Sequence, residues 1–401
     1  MLVVAGLCAG LVLSEIAYRA WIFTRYKAAL PTFYVFDKAN RQFDREFGFS
    51  YISGVDARYV FVAEGLPASL TRMRGNSTGN VGREPEGYEN AALKILVFGD
   101  SYTATGHGPG ITWPDILQDL LARTLGTSVS VVNFGRDGYG ILQMFDLAAA
   151  QVQRLRPDFV VVAFITDDLD RSRSWWLTVD GGARMFRFDA PPEQTTLRYA
   201  LDHGVEGVII DPRISEDWFQ RVQQARDRND PLLRSLIERR ENFRPEGSAA
   251  TAPSPFNLKT SYLFNRIVRG TPFSDSSVPR SNVRFRLNTN DLRTDQRFAQ
   301  SVRRLRTLGV PYVLVHLPVS WETSAGQYRL SNHQRRLLES LTLATGKEPI
   351  GIIDLLSGHA DPRELYMLPD YHASAKGNEH FAKAVHDSLV NGGIAKHARG
   401  H

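Results

Sequence analysis

The sequence predicts an α/β fold: a parallel β-sheet covered on both faces by helices, a three-layer sandwich interrupted by a large insertion. Three observations predict it. Short apolar runs alternate with helical patterns over residues 94–165 and again over 296–390. The run Phe159-Val160-Val161-Val162-Ala163-Phe164-Ile165 is apolar without a break, as in a strand buried on both faces. The run Ile95-Leu96-Val97-Phe98 stops at Gly99-Asp100-Ser101, which sets polar residues at the carboxyl end of a strand, where open α/β sheets bind ligands.

The elements follow in order. Residues 1–14 are apolar and uncharged, Glu15 interrupts, and Ile16, Ala17, Tyr18, Ala20, Trp21, Ile22 and Phe23 resume before Arg25 and Lys27. A bilayer span needs about 20 residues. The segment reaches that length when Glu15 and Arg19, one helical turn apart, pair or reach the interface. No basic stretch precedes the apolar run and no small-residue cleavage site follows it. An uncleaved single-pass membrane anchor over residues 1–27 is therefore expected, with a buried core helix as the alternative. The basic flank by itself favours a cytoplasmic domain. Residues 28–92, with Gly and Pro punctuation and pieces such as Tyr59-Val60-Phe61-Val62, read as a lead-in that covers the main domain.

From residue 93 the pattern is regular. A strand at 94–98 leads to the Gly-Asp-Ser turn. A helix starts near Thr112 to Pro114, carries Ile116, Leu117, Leu120, Leu121 and Leu125, and ends at Gly126. A strand at 129–134 precedes a helix with Ile141, Leu142, Phe145, Val152 and Leu155, which Pro157 stops. After the strand at 159–165 the alternation breaks. Residues 171–290 hold Trp175-Trp176, a hairpin around Asp180-Gly181-Gly182, a charged helix near 215–242 and a Pro/Ser-rich piece near 247–255, and read as an insertion. A helix with Phe298, Val302 and Leu305, strands at 311–317 and 350–355, and a last helix with Phe381, Val385 and Leu389 complete the domain by residue 393. Residues 394–401 are a tail. Strand–helix–strand order implies right-handed crossovers and a parallel sheet.

Composition narrows the function. Hydrophobic residues are 43% and charged residues 23%, normal for a folded protein. Lys and Arg exceed Asp and Glu by 48 to 43, a net charge of +5, with no basic stripe interleaved with aromatics, so nucleic acid is not an expected partner. The only cysteine, Cys8, lies in the apolar segment, which leaves the globular part without a thiol for a disulfide, a zinc site or a nucleophile. No cofactor and no metal are expected. Oligomeric state is not legible.

Four pieces fall at the carboxyl ends of expected strands: Ser101; Asn133-Phe134-Gly135-Arg136-Asp137-Gly138-Tyr139-Gly140; Thr166-Asp167-Asp168-Leu169; and Asp370-Tyr371-His372 before the final helix. Each fits acyl transfer. A serine hydroxyl is a weak nucleophile and needs a base within hydrogen-bond reach. His372 supplies an imidazole that takes the proton and returns it to the leaving group. Asp370 can orient that imidazole through its other ring nitrogen. The backbone N–H groups of Ser101 and Gly138 are candidate oxyanion donors. Plainer roles stand beside these: Asp100-Ser101 as a helix cap, Asn133 as a turn stabiliser, His107 as a solvated loop residue, Trp175 and Trp176 as packing for the insertion. The Gly135–Gly140 run lacks dinucleotide-loop spacing.

In this order and context, the Gly99-Asp100-Ser101 turn, Asn133 with Gly135 and Gly138, the acidic pair Asp167-Asp168 and Asp370-x-His372 resemble the SGNH/GDSL hydrolase superfamily over residues 92–170 and 296–390. The resemblance implies a flavodoxin-like α/β/α sandwich and ester chemistry on lipids or carbohydrates of the cell envelope. It implies Ser101 as nucleophile and first oxyanion donor, Gly138 as second donor, and Asp370 and His372 as the rest of the triad, with Asn133 and Asp168 near the substrate. It also points to a membrane-anchored member with an extracytoplasmic catalytic domain. The third donor in the family is an Asn followed by Asp, and here that pair is Asp167-Asp168. An ionised Asp167 donates nothing; it serves as a donor if burial near a second carboxylate keeps it protonated. The expectation is a serine esterase. An O-acyltransferase acting on a polysaccharide is the alternative that the anchor and the insertion suggest, and a silent binding module is the one that Asp167 suggests.

Overall fold

The computed structural model describes residues 10, 13–17, 33–62, 69–105, 111–171, 173–179, 182–188, 206–225, 230–242, 292–324, 327–328, 330–352, 362–367 and 371–398. The elements in chain order begin with β1 (Phe33–Phe36), β2 (Arg41–Asp44), β3 (Gly48–Tyr51), β4 (Asp56–Val62) and β5 (Ser69–Arg74). Next come β6 (Leu93–Gly99), α1 (Ser101–Ala104), α2 (Trp113–Leu125), β7 (Val129–Gly135), α3 (Ile141–Leu155), β8 (Phe159–Phe164) and α4 (Thr166–Asp170). They are followed by β9 (Arg173–Val179), β10 (Gly182–Phe188), β11 (Glu206–Ile210), α5 (Glu216–Ala225) and α6 (Pro231–Asn242). The chain closes with α7 (Gln296–Thr307), β12 (Tyr312–His316), the short pair β13 (Thr323–Ser324) and β14 (Gln327–Tyr328), α8 (Asn332–Thr345), β15 (Ile350–Gly351) and α9 (Ala375–Asn391).

The central sheet has the order β15-β12-β8-β6-β7, and every pairing in it is parallel. Read from β7, its strands run second, first, third, fourth, fifth: the flavodoxin-like order. The order reverses between β6 and β8, so the crevice for a ligand opens at the carboxyl ends of those two strands. Alternation along β6 divides the core. Ile95 and Val97 face a cluster with Trp113, Leu117 and Leu121 of α2 and Phe381, Val385 and Leu389 of α9. Leu96 and Phe98 face a second cluster with Met144 and Phe145 of α3 and Phe298, Val302 and Leu305 of α7. Every residue of β8 is buried, as its unbroken apolar run requires.

The helix ends are where local chemistry puts them. Thr112 and Asp115 form a capping box at the start of α2, Pro114 sits in its first turn, and Gly126 closes it at φ 64°. The charged helix expected near 215–242 is two helices, α5 and α6, because Pro231 cannot continue a helix and Asp230 starts a new one by accepting the Leu232 and Leu233 amides at 2.9 and 3.1 Å. The helix α8 and the strands of the lead-in were not specified by the periodicity.

The lead-in and the insertion share one sheet. Its order is β5-β4-β1-β11-β10-β9, with β1 and β11 parallel and the other neighbours antiparallel. Val35 and Val60 turn one face of it to Trp218, Phe219 and Val222 of α5 and Leu233 and Leu236 of α6. Phe36 and Tyr59 turn the other face into the α3 and α7 core of the main sheet. Trp175 is fully buried on β9, its ring 6.0 Å from that of Phe43 on β2, so it packs the insertion against the lead-in. Leu13 and Ile16 are exposed, and among the described residues no helix is long and apolar enough to cross a membrane.

Candidate active site

Ser101 stands at the carboxyl end of β6, at the point where strand order reverses. Asp100 is the N-cap of α1 and its Oδ1 accepts the Tyr102 amide at 2.9 Å, so the cap and the candidate nucleophile are neighbouring residues with separate tasks. The Ser101 hydroxyl is half-buried and donates to Asp100 Oδ2 at 3.4 Å, a long bond that a proton acceptor in the cleft can replace.

Two glycines let α1 sit tightly on the sheet edge. A Cβ on Gly99 would lie 2.1 Å from Thr103 Oγ1 and 2.8 Å from the Ala163 carbonyl oxygen. A Cβ on Gly135 would lie 2.6 Å from the Ala104 amide nitrogen and 2.8 Å from the Thr103 carbonyl carbon, backbone that cannot swing aside. We expect Gly135→Ala to cost about 1–3 kcal/mol of stability and to lower Ser101 reactivity by displacing α1. Chemical denaturation together with the rate of Ser101 modification checks this; an unchanged midpoint would contradict it.

Asn133 is 3% exposed and spends its polar atoms inside the protein. Its Nδ2 donates to the Thr103 carbonyl at 2.8 Å and to Thr112 Oγ1 at 3.1 Å, and its Oδ1 accepts the Gly135 amide at 2.8 Å. It therefore binds β7, α1 and the start of α2 into one unit, which is the turn-stabilising role. Gly138 has φ 71° and occupies the third place of a turn closed by the Tyr139 amide on the Arg136 carbonyl at 3.2 Å.

Beneath Ser101 lie two carboxylates with no exposure, Asp100 and Asp168, and one guanidinium, Arg171. Arg171 Nη1 is 2.9 Å from Asp168 Oδ1 and 3.4 Å from Asp100 Oδ2. Asp168 Oδ2 also accepts the Ile165 amide at 2.9 Å, which closes the first turn of α4. Burial pushes both carboxyls above the ordinary carboxylate range. Asp168 is pushed well above it, because the charge of Asp100 adds to burial while Arg171 opposes both. The sequence reading put Asp168 near the substrate and looked for burial at Asp167. The arrangement is the reverse: Asp168 is sealed beneath the site, turned back onto the Ile165 amide, and Asp167 is exposed at the first turn of α4.

His372 is half-buried, with its ring 5.1 Å from the ring of Tyr102, the residue after Ser101. The Tyr102 hydroxyl donates to the Tyr371 carbonyl at 2.9 Å. Tyr371 is a non-glycine residue at φ 62°, a strained backbone at the residue before the imidazole. The strain is held by the Tyr371 amide on the Met367 carbonyl at 2.5 Å and the Met367 amide on the His372 carbonyl at 2.8 Å. Asp370, the expected orienting acid, lies outside the described residues, as does His107.

Tyr102 and Arg171 are the residues that sequence reasoning missed. A tyrosine after a Gly-Asp-Ser turn reads as an ordinary apolar helix residue and its partner is 269 positions away, whereas Arg171 reads as surface charge although its i,i+3 spacing from Asp168 was a signal within reach. Tyr102→Phe removes one hydrogen bond from the His372 loop. We expect a stability loss of about 1 kcal/mol and a kcat lowered by less than about tenfold with KM unchanged, measured by urea denaturation and ester kinetics; a raised KM would show that the tyrosine acts elsewhere.

Comparison with known proteins places the motif-bearing region. Residues 95–203 match the family model described as GDSL-like Lipase/Acylhydrolase. Over that span the chain is similar to GDSL-like lipases and acylhydrolases. The matched span holds Ser101, Asn133, Gly138, Asp167 and Asp168 and ends before Asp370 and His372. Among solved structures the chain is similar to a lipase/acylhydrolase from Enterococcus faecalis, at 12% identity and a TM-score of 0.34, over 75% of this chain and 96% of that one. It is similar to a family 3 carbohydrate esterase of Clostridium thermocellum, at 12% identity and a TM-score of 0.33, over 77% and 99% of the two chains. It is also similar to a catalytic mutant of an acetylxylan esterase from Geobacillus stearothermophilus, at 12% identity and a TM-score of 0.34, over 76% and 95%. No curated relative matches the sequence.

Proposed function

We propose that this protein hydrolyses acyl esters with Ser101 as nucleophile, His372 as general base and Asp370 as the acid that orients it. One observation carries the reading: the serine presented at the β6 carboxyl end is followed by Tyr102, whose ring and hydroxyl hold the loop bearing His372. The imidazole takes the Ser101 proton as Oγ attacks the ester carbonyl, and gives it to the leaving alcohol as the tetrahedral intermediate collapses. Water, activated by the same imidazole, then attacks the acyl-serine and releases the acid. The developing oxyanion is met by the backbone N–H groups of Ser101 and Gly138. Asp167, exposed, takes no part as a proton donor in this reading, and the two backbone donors carry the charge.

The substrate class we propose is an acyl ester, acetyl included, of a cell-envelope carbohydrate or lipid, reached by a domain tethered through residues 1–27. A serine-directed fluorophosphonate applied to the full chain tests the nucleophile: labelling at Ser101 is expected, and labelling absent there or found elsewhere would sink the assignment. Product analysis with an acylated glycan separates hydrolysis from transfer. Release of free acid is expected, and acyl groups appearing on a second glycan would make the protein an acyltransferase.

A further inference from the structure

The turn that presents Gly138 is gripped from outside the family-matched region by the hairpin of β2 and β3. Arg41 on β2 forms an ion pair with Asp137, the residue before Gly138, and both side chains are largely buried, at 4% and 16% exposure. The Arg41 guanidinium lies 5.1 Å from the Phe36 ring centroid and 5.9 Å from that of Tyr51. The Tyr51 hydroxyl accepts the Asp137 amide at 3.2 Å, so Asp137 is held by both its carboxylate and its N–H. On the far side of the turn, the Tyr139 hydroxyl donates to the Phe47 carbonyl at 2.6 Å.

The geometry of the turn gives this grip a chemical consequence. An Arg136-to-Tyr139 closure with Gly138 at φ 71° in the third place is a type II turn. The peptide between the second and third residues, Asp137 and Gly138, carries the Gly138 N–H. In the competing type I turn that peptide is turned over by roughly half a turn, which reverses the direction of its N–H. A largely buried ion pair adds little net stability, because desolvation offsets its attraction. Its effect here is geometric.

We propose that Arg41 is a positioning residue for ester hydrolysis: through Asp137 it locks the Asp137–Gly138 peptide and so sets the direction of the Gly138 N–H toward the oxyanion. The assignment rests on the reading of Ser101 as nucleophile and Gly138 as donor. It gives the lead-in a task in the chemistry beyond covering the domain.

The test compares the wild-type full chain with the double variant Arg41→Met/Asp137→Asn, which leaves no unpaired buried charge, and with Arg41→Lys, which keeps the charge. Hydrolysis of a short-chain aryl ester and thermal unfolding are measured for each. The expected result is a double variant that is folded at the assay temperature, with kcat lowered about 10- to 100-fold, part of the effect of deleting an oxyanion donor, and KM within about twofold of wild type, the signature of a contact made in the transition state. Arg41→Lys is expected to recover most of that kcat. A double variant with wild-type kcat overturns the positioning role and leaves the nucleophile reading standing. A double variant that fails to fold, or that changes kcat and KM together, shows a structural tie and also overturns it. A wild-type chain without Ser101-dependent turnover overturns both readings.

Discussion

Ser101→Ala is expected to lower ester turnover by about 10⁴- to 10⁶-fold while leaving the fold intact. The size follows from the loss of the covalent path: without Oγ the imidazole of His372 has no nucleophile to activate, and only binding and backbone donors remain. The fold survives because the hydroxyl's one described bond, to Asp100 Oδ2, is 3.4 Å long, and its loss costs no more than about 1 kcal/mol. The Asp100 cap on the Tyr102 amide stays in place, so α1 still forms. His372→Ala is expected to lower turnover by a similar factor, and the two changes together by little more than either alone, because they act as a unit. The check is kcat on a short-chain aryl ester beside the thermal midpoint of each variant. Turnover that survives Ser101→Ala with a wild-type midpoint would remove the serine from the chemistry.

Much of the scaffold was legible because it is written in short-range patterns. Alternating and continuous apolar runs located β6, β7, β8 and β12, and Pro and Gly marked the ends of α2 and α3. A parallel sheet then followed from the alternation of strands and helices, which sets Ser101, Gly138, Asp167 and the His372 loop at one sheet edge, while the flavodoxin-like strand order was implied only by the family resemblance. What was not legible is long-range. The pairing of β1 with β11 joins segments roughly 170 residues apart, and nothing in either says that they meet. The hold of Arg41 on Asp137 crosses 96 positions, and that of Tyr102 on Tyr371 crosses 269. At Asp167-Asp168 the residue types were visible and the inward one was not, since it is the bond of the Ile165 amide to the Asp168 carboxylate that decides which of the two turns in. Trp175, read in the sequence as packing for the insertion, is buried against Phe43.

Arg171→Met should be the most destabilising single change near the site, by about 3–5 kcal/mol at neutral pH, because it leaves two buried carboxylates without their cation. Methionine keeps much of the aliphatic volume, so the loss reports charge more than packing. Its pH dependence has a definite sign. Asp100 and Asp168 already lie above the ordinary carboxylate value because they are buried, and Arg171 is what opposes that rise. Without it both rise further. A carboxyl raised in the folded state contributes stability below its unfolded value of about 4 and loses that contribution as pH climbs through the folded value. The deficit of Arg171→Met should therefore be smallest near pH 4 and widen toward neutrality. Guanidinium denaturation at several pH values measures it, and a deficit that stays flat or grows on acidification would refute the account. Adding Asp168→Asn to Arg171→Met removes one buried charge and should restore part of the loss at neutral pH. Asp100 is both a member of this cluster and the cap on α1, so the same substitution should loosen the turn that presents Ser101 and lower its fluorophosphonate labelling rate by more than the unfolded fraction accounts for.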